Sequence, residues 1–291
     1  MTPLRQQMIA ALQLSGKSER TQQSYVREVR LLAQFYGKSP HLISESELQQ
    51  YILHRKNVDQ LAPTSMRICY SGIRFFDLHI LERAGKLLDL IRAQSEYRLP
   101  AILSVQEVHR LLSLATPVHN RVYFTTVYSL GLRLHEGLFL QVSDIDGQRL
   151  MVHVHRGKGA KDRYVPLPPD TLALLRRYWT THRHPPWLFP ATGRDHKHMT
   201  TATEPMSRSS VQGAFRKAQQ RAGLIKRAVG IHTLRHCYAT HLLEAGVNLR
   251  AIQRYMGHAR LETTMLYLHL TQKGQEDAIQ RINTVMRGLP S

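Results

Sequence analysis

The sequence is poor in acid: 21 aspartates and glutamates stand against 40 lysines and arginines, a formal net charge of +19 over 291 residues. Such an excess disfavours a basic partner and points to a polyanion, because each phosphate neutralised releases counterions. Cysteine is nearly absent. Cys69 and Cys237 lie far apart within apolar helical patterns, which excludes a disulfide framework and suits reduced core residues of a cytosolic protein. No apolar run is long enough to cross a bilayer. The N-terminus, MTPLRQQMIAALQL, lacks the continuous apolar stretch and small-residue cleavage site of a signal peptide. The charge is not gathered into a polybasic tail, so nucleic acid rather than a membrane surface is the expected partner, and the expected location is the cytoplasm.

Several chemistries are missing as well. Gly157-Lys158-Gly159 lacks the spacing of a phosphate-binding P-loop and does not open a helix. Thr233 stands where H-E-x-x-H would need its glutamate. His182, His184, His196 and His198 are crowded into a Pro- and Thr-rich stretch, but no cysteine lies nearby and neither pair has the spacing of a closed zinc site. No metal or other cofactor is expected.

What is present is mostly helical. Tyr25, Val29, Leu32 and Tyr36 recur at helical spacing before Gly37 and Pro40, Ser44 with Glu47 makes a capping-box pattern, and another helix follows Pro63. With one more helix near residues 4 to 14, these form an N-terminal bundle over residues 1–92. Its polar face carries Arg20, Arg27, Arg67 and Arg74, an ordinary solvated face or a set of phosphate contacts. Periodicity fades into Leu99-Pro100, and residues 93–101 serve as a linker. A second domain, 102–291, opens on the Ser104 and Glu107 capping box.

In that domain an apolar helix breaks at Gly131, followed by Arg133 and, one turn on, Glu136. By spacing alone these are a surface ion pair worth a few tenths of a kcal/mol, about the usual value for such a pair. Met151, Val152 and Val154, then Tyr164 and Val165, suit two short strands joined through the glycine-rich turn. Residues 208–222 return to helix with Arg208 and Lys217 as further candidate phosphate contacts. Helical spacing of Ile279, Ile282 and Leu289 marks a tail helix.

The stretch Ile231 to Leu270, IHTLRHCYATHLLEAGVNLRAIQRYMGHARLETTMLYLHL, reads as three helical segments broken at Gly246 and Gly257. His232 and Arg235 share a face at the start of the first, His258 follows the second break, and Tyr267 lies nine residues further on. A guanidinium, two imidazoles and a phenol gathered by short turns can cradle a phosphate beside a nucleophile.

These motifs, HTLRHCYATHLLEAG and YMGHARLETTMLY, resemble the C-terminal signature of the tyrosine recombinases, the phage integrase and Xer-like family, with Met256 where that family has leucine. The resemblance implies a mainly α fold with a small antiparallel β-sheet: an N-terminal helical core-DNA-binding domain and an α+β catalytic domain. It implies a site-specific recombinase that breaks and rejoins double-stranded DNA through a 3′-phosphotyrosyl link without ATP, as a homotetramer on two paired sites, with room for an accessory protein. Arg133, Lys158, His232, Arg235, His258 and the nucleophile Tyr267 are then the catalytic set, with Glu136 in support. The rival readings are a non-catalytic architectural DNA-binding protein and a type IB topoisomerase.

Overall fold

The computed structural model describes residues 2–83, 100–155, 162–193, 199–224 and 229–271. The chain divides into two compact units, Met1–Arg98 and Leu99–Ser291. The architecture is mainly helical with one small antiparallel sheet, as expected from the periodicities.

The first unit is built from helices α1 (Pro3–Leu14), α2 (Glu19–Tyr36), α3 (Glu45–Asn57) and α4 (Pro63–His79). Their ends follow local chemistry. The Ser18 hydroxyl caps α2 by accepting from the Thr21 amide, and Ser44 and Glu47 complete the expected reciprocal box on α3. Periodic apolar positions then meet in two patches, one with Met8, Leu12, Val29 and Phe76, the other with Leu32, Tyr51, Ile52, Cys69 and Ile73. Arg20, Arg27, Arg67 and Arg74 are on exposed positions of the same helices.

The second unit begins with α5 (Val105–Ser113) and α6 (Val118–Leu130), followed by the short α7 (Leu134–Leu138). The sheet comprises β1 (Ile145–Asp146), β2 (Met151–Val154) and β3 (Arg163–Pro166), in that order and antiparallel throughout. The two-residue β1 is too short to leave a periodic signal, and sequence reasoning missed it. Then come α8 (Pro169–Trp179), α9 (Arg208–Arg221), α10 (Ile231–Glu244), α11 (Leu249–Met256) and α12 (Glu262–Met265), which runs into a 3-10 turn at Leu266–Leu270. The third segment of the C-terminal stretch is thus shorter and tighter than the continuous helix its spacing suggests. The core gathers Val108, Tyr123, Phe124, Val152, Val165, Phe189, Phe215, Leu234 and Cys237. Cys69 and Cys237 are both buried free thiols.

Strand register decides which side chains of the sheet point inward. Val152 pairs with Val165 and Val154 with Arg163, so the period of two turns Arg163 to the buried face with the valines and leaves His153 and Tyr164 on the other. His182 and His184 are buried and tied into their own loop: His184 accepts from the Trp187 amide at 2.9 Å and His182 from the His184 amide at 3.0 Å. His196, His198, the strand-joining residues with Lys158, the linker 93–99 and the tail helix lie outside the described residues. Among the described residues no helix is long and apolar enough to cross a membrane.

Candidate active site

Two left-handed glycines set the frame. Gly131 (φ 60°) ends α6 and Gly257 (φ 61°) ends α11, a conformation that costs a glycine little. Each is also a point of close approach: a Cβ on Gly131 would stand 2.4 Å from the Tyr238 ring, and one on Gly257 2.9 Å from the Arg163 side chain. The carbonyls at these helix ends have no partner within their own helices and carry the negative end of the helix dipole. Arginines take them. Arg235 donates to the Gly131 carbonyl at 2.5 Å and to that of Met256, while Arg133 donates to the Gly257 carbonyl at 3.2 Å.

A single carboxylate joins the arginines. Glu136, on α7, accepts from the Arg133 amide at 2.8 Å and from its guanidinium at 2.6 Å. Arg163 grips the same carboxylate with both terminal nitrogens, at 2.9 and 2.7 Å, and spends its Nε on the Tyr255 carbonyl at 2.7 Å. Arg235 comes within 3.7 Å of it. The pair expected at the surface is therefore a buried network, with the Glu136 side chain only 6% exposed. Burial pushes the Glu136 carboxyl up, but the paired hydrogen bonds and charge of Arg163, with help from Arg133, outweigh it and hold the group at about 2. Arg235, buried and facing Arg133, is pushed down to about 9.

Three guanidiniums thus share the one carboxylate paired with them among the described residues, and two positive charges remain uncompensated. Buried charge is costly unless paired. A cluster with this surplus is built to receive an anion, and guanidinium forks match the oxygens of a phosphate.

The histidines and the tyrosine stand beside it. Tyr267 is fully buried, its hydroxyl 3.0 Å from Nδ1 of His236, and its ring is stacked on that of His258 at a centroid distance of 6.3 Å. His258 also meets the Thr264 hydroxyl through Nδ1 at 2.9 Å. His232 is exposed at the edge of the group, with its ring edge-on to His236 at 4.8 Å. All three imidazoles lose basicity, first through the protein packed around them and then through neighbouring positive charge. His236 falls to about 4, beside His232 and Arg235, and His258 to about 3, beside Arg235 and Arg133. His232 moves in the same direction. At neutral pH the rings are uncharged and able to accept a proton.

The structure brings together Arg133, Glu136, His232, Arg235, His258 and Tyr267 from the sequence-derived set, while Lys158 falls outside the described residues. Two members were missed. His236 follows Arg235 directly and sits one helical turn from His232, a spacing that places it on the same face. Arg163 had a signal too: it alternates in phase with Val165, so an inward-facing arginine needed a buried anion. Arg208 and Lys217 are exposed on α9.

The family model described as the phage integrase family matches residues 101–273, and that of the phage integrase N-terminal SAM-like domain matches residues 4–86. A Sinorhizobium fredii protein carrying an integrase/recombinase designation is 40% identical over 271 residues, covering 93% of this chain and 85% of its own. A Thermosipho africanus tyrosine recombinase is 28% identical over 277 residues, 91% of this chain and 94% of its own. Among solved structures, the XerH site-specific recombinase bound to palindromic difH substrate, a post-cleavage complex, superposes with a TM-score of 0.70 at 21% identity, covering 96% of this chain and 84% of that one.

Proposed function

The chain belongs to the phage integrase family, the tyrosine recombinases, and on that premise we propose that it cleaves and rejoins double-stranded DNA at specific sites with Tyr267 as nucleophile. The observation that carries the reading is the surplus of largely buried guanidinium charge around Glu136, with Arg235 close enough to Tyr267 to act on it electrostatically. A DNA phosphodiester is anionic, so the barrier lies in neutralising its charge and in protonating a poor leaving group. Arg133 and Arg235 present N–H groups to the non-bridging oxygens. Arg163 has all three nitrogens, Nε included, engaged by Glu136 and the Tyr255 carbonyl, and acts as a strut that fixes Glu136 and, through it, Arg133.

The phenol must lose its proton to attack. His236 is the ring in contact with the hydroxyl, so the phenol's proton passes through that ring to His232, the general base by the family motif, which returns it on rejoining. Arrival of the phosphate offsets the positive charge that depresses both rings and raises their basicity when it is needed. His258 supports the phosphate. The phenolate oxygen bonds to phosphorus, the bond to the 5′-oxygen breaks, and that oxygen takes a proton from Lys158, a role assigned to Lys158 by the family motif. The resulting phosphotyrosyl ester retains the bond energy, so a new 5′-hydroxyl can reverse the step without ATP. Because the Tyr267 ring is buried with its hydroxyl engaged, attack on a duplex requires the segment after Gly257 to shift.

The enzyme acts in the cytoplasm, at the nucleoid, as a homotetramer on two paired sites. Residues 1–92 hold one face of the duplex, with room for an accessory protein. Covalent capture tests the reading: protein incubated with genomic DNA, denatured and digested, should yield a nucleotide adduct on Tyr267 that is absent from Tyr267→Phe. Salt-sensitive binding with no adduct, from folded protein, would instead support an architectural role.

A further inference from the structure

Outside the arginine cluster, a second group of chemistry-bearing side chains gathers on the solvent face of the sheet. His153 and the residue two further along the chain, His155, fall on one side of β2 and its continuation, because the strand period is two. Asp144, in the turn before β1, faces them. One ligand atom from each of Asp144, His153 and His155 lies within 4.8 Å of the others. Atoms bound at about 2.0–2.2 Å to one ion are at most about 4.4 Å apart, so only a small contraction separates this arrangement from a coordination shell.

Each side chain is also oriented by something else, as ligands usually are. The Asp144 carboxylate is buried, one oxygen fixed by the Gln141 amide at 2.8 Å and the other aimed at His155 Nε2 at 2.5 Å. The His153 ring is stacked on Tyr164 at 4.7 Å, nearly parallel, and the two imidazole centroids are 3.9 Å apart. Asp162 supplies further negative charge, 3.3 Å from His153 and 3.7 Å from His155. In so basic a chain, two carboxylates around two imidazoles make a local environment suited to a cation. Nitrogen and carboxylate donors with one or two positions left for water favour a borderline divalent ion of the zinc class over calcium or magnesium.

We propose that Asp144, His153 and His155 form a binding site for a divalent transition-metal ion, with Asp162 beside it, at the base of the β2–β3 hairpin. The ion takes the place of the direct contact between Asp144 and His155. It links the turn before β1 to β2, and so ties down the sheet whose strands flank the segment containing Lys158. The proposal is independent of the reaction at Tyr267, and its readout is not activity.

The test uses tag-free full-length protein, stripped of metal and titrated with cobalt(II) alone, followed by visible absorption and by bound-metal analysis after gel filtration. The expected result is a visible ligand-field spectrum at one equivalent. His153→Ala removes a partly exposed ring and should leave the fold intact by circular dichroism while weakening binding at least tenfold, a loss that removal of an orienting partner alone can produce. His155→Gln, which keeps a polar partner for buried Asp144, should do the same. Equal cobalt affinity in wild type and both variants would overturn the proposal, as would absence of the spectrum. Binding lost on His236→Ala but kept on His153→Ala would overturn it too, placing the ion among the histidines beside Tyr267.

Discussion

Among the described residues, each unit of the molecule buries a glutamate against arginine, and the two pairs are not alike. Glu28, in the N-terminal bundle, is 2% exposed and meets Arg27 at 2.7 Å, but Arg27 is itself 56% exposed and Arg55 stands off at 3.9 Å. Among the described residues, one of its carboxylate oxygens has no hydrogen-bond partner. Glu136, in the second unit, is gripped by Arg133 and Arg163 and approached by Arg235. The first carboxylate is undersupplied with hydrogen-bond donors, and the second sits amid an excess of positive charge. A carboxylate in the first condition contributes little to stability, since desolvation offsets a partly solvated pair. In the second condition the carboxylate organises cations that would otherwise repel one another, and leaves them short of negative charge.

Substitution of the two glutamates should separate them most strongly. Glu136→Gln leaves three close cations without their counter-ion and should cost about 3–5 kcal/mol in denaturant unfolding, with part of the loss recovered when duplex DNA is bound. Glu28→Gln, by contrast, should change stability by less than about 1 kcal/mol, because it removes a charge that is poorly satisfied. A comparable loss at both sites would erase the distinction. Next in size, Arg133→Ala should slow covalent-adduct formation by about 10²–10³-fold, the effect of losing one preorganised donor, with DNA affinity little altered in a binding assay.

Acid should act on the second unit through its histidines. His236 and His258 are held at about 4 and about 3, below an unfolded value of about 6.5. The unfolded chain therefore binds more protons over that interval, and the stabilising contribution is complete above pH 6.5 and lost as pH falls toward 4 and 3. Glu136, held at about 2, adds a loss in the same direction below about pH 4.5. Unfolding followed against pH should show stability declining as pH falls from 6.5 toward 3, and His236→Asn should flatten part of that decline. The smallest effects belong to the exposed arginines of the first unit. Arg20→Ala, Arg67→Ala or Arg74→Ala should each lower the salt dependence of DNA binding by about one phosphate contact, with unchanged melting temperature.

The periodicities and caps of the helices were legible because they are local. Ser44, Glu47, Ser104, Glu107, Gly131 and Gly257 all sit where chain chemistry alone places a helix end. Most of the candidate site was legible as well, since short turns bring His232, Arg235, His258 and Tyr267 together from one stretch of chain. Spacing alone made Glu136 a surface partner, and only the family motif put it in the site, because spacing along one helix carries no information about what packs over it. Arg163 and His236 were overlooked for related reasons. The contacts that give them meaning span 27 and 31 residues, to Glu136 and Tyr267.

Net charge, helix content, the family motifs and the partner class followed from the sequence by itself, because they depend on composition and on spacing within a few turns. Only the tertiary structure decided that one carboxylate serves three guanidiniums, and that the Tyr267 hydroxyl rests on His236 rather than on His232. It also decided that His153 on β2 and His155 just beyond it face a buried aspartate. Each of these is a balance of charge in a partly dry space, and neither that balance nor that dryness exists until distant segments close around it.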